Sequence, residues 1–142
     1  MIDVHTPDVR SRNMQAIKAK DTKPELLVRS RLFKRGFRYR LHRKDLPGKP
    51  DLVLRKYKTV IFINGCFWHG HACKLFKLPQ TNTDFWKDKI NATKIRDKLN
   101  RKLLLKQGWR VITVWECSLK SLNAIEMEIS KLIKKIRNNE SF

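Results

Sequence analysis

The chain has 142 residues, room for one domain with a single core that buries roughly two-thirds of the unfolded surface. Lysine and arginine number 33 against 13 acidic residues, a formal charge of +20 that exceeds any need of solubility and points to a polyanionic partner, nucleic acid before membrane. No apolar stretch approaches the ~18 residues of a spanning helix, the N-terminus lacks a signal-peptide core, and three cysteines suit metal ligation in a reducing compartment better than a disulfide framework, so a cytosolic protein is expected.

The first twenty residues are polar and basic, with Met14 and Ile17 spaced i, i+3 as the apolar tip of a short helix. Thr22 as N-cap, Pro24 and Glu25 in the first turn and a stop at Gly36 predict a helix from about Lys23 to Arg35. Phe37 to Leu41 reads as a strand. After the turn Leu46-Pro47-Gly48-Lys49-Pro50, the β-branched runs from Asp51 to Arg55 and from Thr59 to Ile63 predict an antiparallel hairpin. A long helix is expected from Thr83 or Asp84 to about Gln107, stopped by Gly108, with Trp86, Ile90, Thr93, Asp97, Asn100 and Leu104 on one stripe. Arg110 to Trp115 should be a strand joined in parallel through that helix, and Leu119 to Ile136 a last amphipathic helix before a tail from Arg137 to Phe142. The expected class is α/β, a small mixed sheet with helices packed on it.

Chemistry concentrates between Ile61 and Cys73, where two cysteines, two histidines and the pair Phe67-Trp68 follow a β-branched run. Cys66 and Cys73, with either His69 or His71 and with Cys117 from a distance, make a tetrahedral zinc set. Spacing alone does not choose the histidine; the spare one is placed for proton transfer beside a metal-pinned loop. Asp51 opens a core strand, where a carboxylate needs a partner such as a divalent cation, although a turn aspartate capping its own loop has the same sequence. Glu25 complements a helix dipole whatever else it does. Asp97 shares its stripe with Trp86 and Ile90 and so needs a donor, either a loop histidine or one of Lys94, Arg96 and Arg101. His5 and His42 lie in basic polar surroundings and read as surface residues. Phe67-Trp68 and Phe85-Trp86 are core candidates by habit, yet in so basic a chain they can also stack on bases or wedge between them.

RSRNM, LPGKPD, VIF followed by GCFWH, the LFK…P…T…FW segment, GWRV and VWEC, in this order and spacing over about residues 6 to 120, closely resemble very short patch repair (Vsr) endonucleases. The resemblance implies one restriction-endonuclease-like domain that nicks double-stranded DNA 5′ to the thymine of a T:G mismatch left by deamination of 5-methylcytosine. It implies Asp51 as the magnesium-binding acid, with the backbone carbonyl of Ile63 as a second ligand to a pair of Mg²⁺ ions, His69 as the catalytic base, Asp97 as its orienting carboxylate and Glu25 as a supporting acid. It assigns one structural Zn²⁺ to Cys66, His71, Cys73 and Cys117. Phe67, Trp68 and Trp86 resemble an aromatic wedge beside the mismatch, and Met14 and Ile17 a segment reaching the minor groove. A monomer is expected, linked in function to a cytosine-5 methyltransferase and to general mismatch-repair proteins. Two positions depart from the family's common pattern: Ile63 where threonine is usual and Asn64 where histidine is usual. The competing reading is a zinc-containing protein that binds distorted DNA without cutting it; Asp51, Glu25, His69 and Asp97 discriminate, since a pure binder needs no such set.

Overall fold

The computed structural model describes residues 22–73 and 76–138. Its elements are α1 (Lys23–Lys34), β1 (Arg40–Leu41), β2 (Leu52–Leu54), β3 (Thr59–Asn64), α2 (Thr83–Lys106), β4 (Arg110–Trp115) and α3 (Leu122–Arg137). Met14, Ile17 and His5 lie outside the described residues, as does the tail beyond Asn138.

The four strands pair in chain order, β1 with β2 and β2 with β3 antiparallel, β3 with β4 parallel. The hairpin and the parallel return through a helix are both as the sequence predicts. Alternate side chains divide the core. Leu52, Leu54, Ile61, Ile63, Ile112 and Val114 point to one face, where Val28 and Leu32 of α1 and the buried stripe Ile125, Ile129, Leu132, Ile133 and Ile136 of α3 cover them. Val53 and Val60 face the other way and meet Leu104 of α2 and Trp109, a much smaller cluster.

Helix α1 starts where expected, with Thr22 Oγ1 accepting the amide of Glu25 at 3.4 Å. Helix α2 buries Ile90 and Leu104 and half-buries Trp86, Thr93, Asp97 and Asn100, the stripe that its 3.6-residue periodicity anticipates. Gly108, at φ +88°, turns the chain out of α2 in a left-handed conformation that a side chain disfavours.

Two elements differ from expectation. The first strand is only Arg40–Leu41, because the residues before it are held by side chains rather than by a ladder: Phe37 is buried in the core, and the Tyr39 hydroxyl donates to the Arg29 carbonyl at 2.9 Å. The last helix starts at Leu122 after a 3₁₀ turn over Glu116–Leu119, since Ser121 caps it by accepting the Ala124 amide at 3.0 Å. No helix among the described residues is long and apolar enough to cross a membrane.

Candidate active site and metal centre

Asp51 stands immediately before β2, and antiparallel pairing with β3 brings it beside Ile63, whose amide donates to Asp51 Oδ2 at 2.7 Å. From the other side, the β1–β2 register that sets Leu41 opposite Leu52 brings the next residue, His42, opposite Asp51; the His42 amide donates to the Asp51 carbonyl at 3.2 Å. The first turn of α1 then supplies Glu25, whose side chain is 2% exposed. Its Oε2 lies 3.0 Å from His42 Nε2 and accepts from Arg29 Nη1 at 2.9 Å. His42 Nδ1 is 4.0 Å from Asp51 Oδ1. Burial, and next to it the neighbouring Glu25 charge, push the Asp51 carboxyl up to about 6, while the Ile63 amide and His42 pull the other way. Two acids so close, largely withdrawn from water, form a site that gains from a cation.

The expectation that His42 is a surface residue is overturned. Its side chain is 22% exposed and in contact with both acids. The β1–β2 register was the available signal: once β1 ends at Leu41 against Leu52, the next residue must meet Asp51. Glu25 likewise does more than complement a helix dipole, since a glutamate there would serve that end from the surface.

The loop after β3 places the other groups. His69 Nδ1 lies 2.5 Å from Asp97 Oδ2, joining the loop to the inner stripe of α2. Of the two partners considered for Asp97, the structure selects the histidine. Gly70 at φ +60° lets the loop lie on the helix: a Cβ there would stand 2.6 Å from Lys94 Cε and 2.7 Å from Ile90 Cγ2. The same turn separates the two imidazoles. His71 is stacked on Trp115 with ring centroids 4.0 Å apart and planes at 9°.

His71 Nδ1 lies 3.6 Å from Cys117 Sγ, and one ligand atom each from Cys66, His71, Cys73 and Cys117 falls within 4.8 Å of the others. Ligands at about 2.1 Å (nitrogen) and 2.3 Å (sulfur) from a tetrahedral ion lie about 3.6 Å apart, so the His71–Cys117 pair already stands at that separation and the four donors are close enough together to hold one metal. Burial pushes the Cys66 thiol up to about 12, hence ion binding here must displace protons. Glu116 Oε1 accepts the Cys66 amide at 3.0 Å and ties the loop to the end of β4.

Asp51, Ile63, His69 and Asp97 all line one cavity of about 480 Å³ between the sheet and α2. Lys49, Lys94, Lys98 and Arg101 line it too, giving it a positive wall for an anionic substrate. Asn64 also faces it. At the loop's edge Phe67 packs against Trp68 and Trp86 with centroids 4.9 Å and 5.5 Å apart, and Trp68 against Trp86 at 5.7 Å. All three are half-buried, so they pack on one another outside the main core, and Phe85 beside them is 58% exposed.

Residues 2–75 match the family described as DNA mismatch endonuclease Vsr. The chain belongs to this family. It is 47% identical over 120 residues to the DNA mismatch endonuclease Vsr of Escherichia coli K12, covering 84% of this chain and 77% of that protein. It is 49% identical over 138 residues to the type II nicking enzyme V.NmeAIP of Neisseria meningitidis (97% of this chain, 99% of the relative). Against the type II nicking enzyme V.XorIIP of Xanthomonas oryzae pv. oryzae it is 44% identical over 133 residues (94% and 98%). The family makes the chain an endodeoxyribonuclease, and DNA the polyanion that its charge anticipates.

Proposed function

We propose that this Vsr-family enzyme nicks double-stranded DNA on the 5′ side of the thymine in a T:G mismatch, using Mg²⁺ at Asp51 and one structural Zn²⁺ at Cys66, His71, Cys73 and Cys117. The observation that carries the reading is the opening of two dissimilar groups onto one basic-walled cavity: a buried carboxylate in need of a cation, and an imidazole held by a second carboxylate. A protein that only binds DNA needs neither.

Asp97 occupies His69 Nδ1, which leaves Nε2 as the position that takes a proton from an attacking water. Holding the ring at 2.5 Å also fixes its orientation and stabilises the imidazolium formed by the transfer. Asp51 and the Ile63 carbonyl would hold Mg²⁺, Glu25 supporting the site from behind; when bound, a pair of such ions supplies Lewis-acid stabilisation of charge developing on the phosphate and leaving oxygens. Because Ile63 would act through its backbone, the side-chain departure at this position leaves that ligand in place. Lys49, Lys94 and Lys98 are set to hold the DNA backbone by charge. Phe67, Trp68 and Trp86, restrained by the metal-tied loop, are suited to enter the stack beside a mismatch, which is cheaper to unstack than a paired step. Met14 and Ile17 would extend the grip to the minor groove. A single asymmetric lesion suits a monomer, and the origin of T:G pairs from 5-methylcytosine ties the activity to a cytosine-5 methyltransferase and to mismatch repair.

The test is nicking of a pool of T:G duplexes with randomised flanks, with and without Mg²⁺, by wild type and Asp51→Ala. The expected outcome is Mg²⁺-dependent nicking by wild type at one mismatch context, and binding without nicking by the variant. Wild-type rates from Asp51→Ala would remove Asp51 from the mechanism; intact duplexes throughout would leave a binder of damaged DNA.

A further inference from the structure

Glu25, His42 and Asp51 come from three different elements, yet one ligand atom from each falls within 4.8 Å of the other two. The separation of His42 Nε2 from Glu25 Oε2 is 3.0 Å. Two adjacent ligands of an octahedral ion at about 2.1 Å from its centre stand about 3.0 Å apart, so this pair already has the edge length of a coordination sphere. The 4.0 Å from His42 Nδ1 to Asp51 Oδ1 is close to two such bonds end to end, so either ring nitrogen has a carboxylate at a distance an ion can bridge. The backbone holds the imidazole there: His42 sits at φ +49°, a conformation that costs a residue with a Cβ about 1 kcal/mol or more, and its amide is bonded to the Asp51 carbonyl at 3.2 Å. Arg29 already neutralises Glu25, so charge balance for that acid does not by itself call for a histidine.

We propose that His42 is a nitrogen ligand of the active-site ion, alongside Asp51 and Glu25, and that it makes this site prefer Mn²⁺ over Mg²⁺. The inference rests on the divalent-ion site proposed at Asp51 and specifies its chemistry. Mg²⁺ is a hard ion that takes oxygen ligands and keeps its waters, so an imidazole adds little to its binding. First-row transition ions accept imidazole more readily than Mg²⁺ does, and Mn²⁺ is the member of that series that also shares the carboxylate, carbonyl and water ligands Mg²⁺ takes. The site therefore holds Mn²⁺ at lower concentration than Mg²⁺, and the difference comes from one side chain.

The experiment titrates Mn²⁺ alone into the zinc-loaded full chain without DNA. Bound ion is read by electron paramagnetic resonance and its ligands by the ¹⁴N modulation of the spin echo, with Mg²⁺ as competitor. Wild type, His42→Gln and Asp51→Asn are compared. Wild-type Mn²⁺ should show imidazole ¹⁴N coupling. His42→Gln, which keeps a polar side chain of similar reach beside Glu25, should lose that coupling and bind Mn²⁺ at least about tenfold more weakly, with the Mg²⁺ affinity changing by less than about threefold. Binding that needs Asp51 but shows no ¹⁴N coupling, or an unchanged Mn²⁺ affinity in His42→Gln, overturns the role of His42 and leaves the Asp51 site standing. Mn²⁺ held equally well by Asp51→Asn, or not held by wild type, overturns the ion site itself and this inference with it.

Discussion

Asp51→Asn preserves shape and the acceptor for the Ile63 amide but removes a charge that the fold holds at a cost. An aspartate carboxyl titrates near 3.9 in an unfolded chain and is pushed up to about 6 here, chiefly by burial. The folded state therefore binds the extra proton between those values, and the stability of the wild type falls as pH rises from about 4 to about 6. Above pH 6 the full penalty applies, about two units at ~1.4 kcal/mol each, or about 3 kcal/mol. The Ile63 hydrogen bond is already contained in that net value, but desolvating the side-chain amide donors that Asn brings gives back part of it, so the net gain for the variant at pH 7.5 should be about 2 kcal/mol. For a chain of this length that is a rise in melting temperature of about 6 °C. The assay is thermal unfolding of zinc-loaded wild type and variant in Mg²⁺-free buffer at pH 7.5 and pH 4.5, comparing the two proteins at each pH so that effects common to both cancel. The gain should be largest at pH 7.5 and mostly gone at pH 4.5, and Mg²⁺ should raise the wild type while leaving the variant unmoved. A variant no more stable than wild type at pH 7.5, or equally favoured at both pH values, would refute the claim that Asp51 is a destabilising charge kept for its ion.

Gly70→Ala should cost about 1 to 3 kcal/mol in stability and about a hundredfold or more in nicking, because the new Cβ meets Ile90 Cγ2 at 2.7 Å and lifts His69 from Asp97; unchanged kinetics would show that the contact is dispensable. Cys117→Ser should lower zinc affinity and melting temperature together, and unchanged zinc stoichiometry and melting would exclude that ligand. With ~6 to 10 phosphates contacted, affinity for duplex DNA should drop about 10³ to 10⁵-fold between roughly 50 and 200 mM salt; a flat response would contradict the electrostatic account.

Periodicity and punctuation made much of the fold legible. The stripe from Trp86 to Leu104 fixed which face of α2 turns inward, and that put Asp97 where a loop histidine can reach it. Local pattern failed wherever side-chain contacts replaced ladder hydrogen bonds as the anchor. Phe37 and Tyr39 read as strand residues but are held by burial and by a bond to α1. His69 and His71 could not be told apart by spacing, since what separates them is the left-handed turn at Gly70. His42 was hidden for a longer-range reason. Nothing near it in sequence marks it, and its position follows only from a two-residue strand registering against β2. Glu25 was masked by sufficiency, because a first-turn glutamate has a local explanation and so gives no hint that it is buried.

The two faces of the sheet also divide the work. The face under α1 and α3 carries most of the buried apolar side chains, whereas the face under α2 holds Val53, Val60, Leu104 and Trp109 as its buried cluster. An underfilled face leaves the 480 Å³ cavity in which Asp51, His69 and the lysines meet, and the loop carrying His69 lies on α2 through Phe67 and Trp68 against Trp86 and through Gly70 over Ile90. A tetrahedral metal held by Cys66, His71, Cys73 and Cys117 would add a second anchor, tying the loop to the end of β4 with a free energy on the order of 10 kcal/mol. Filling the cavity with larger side chains would stabilise α2 at the expense of the space a phosphate needs. A loop tied by a metal would secure the histidine and leave that space open.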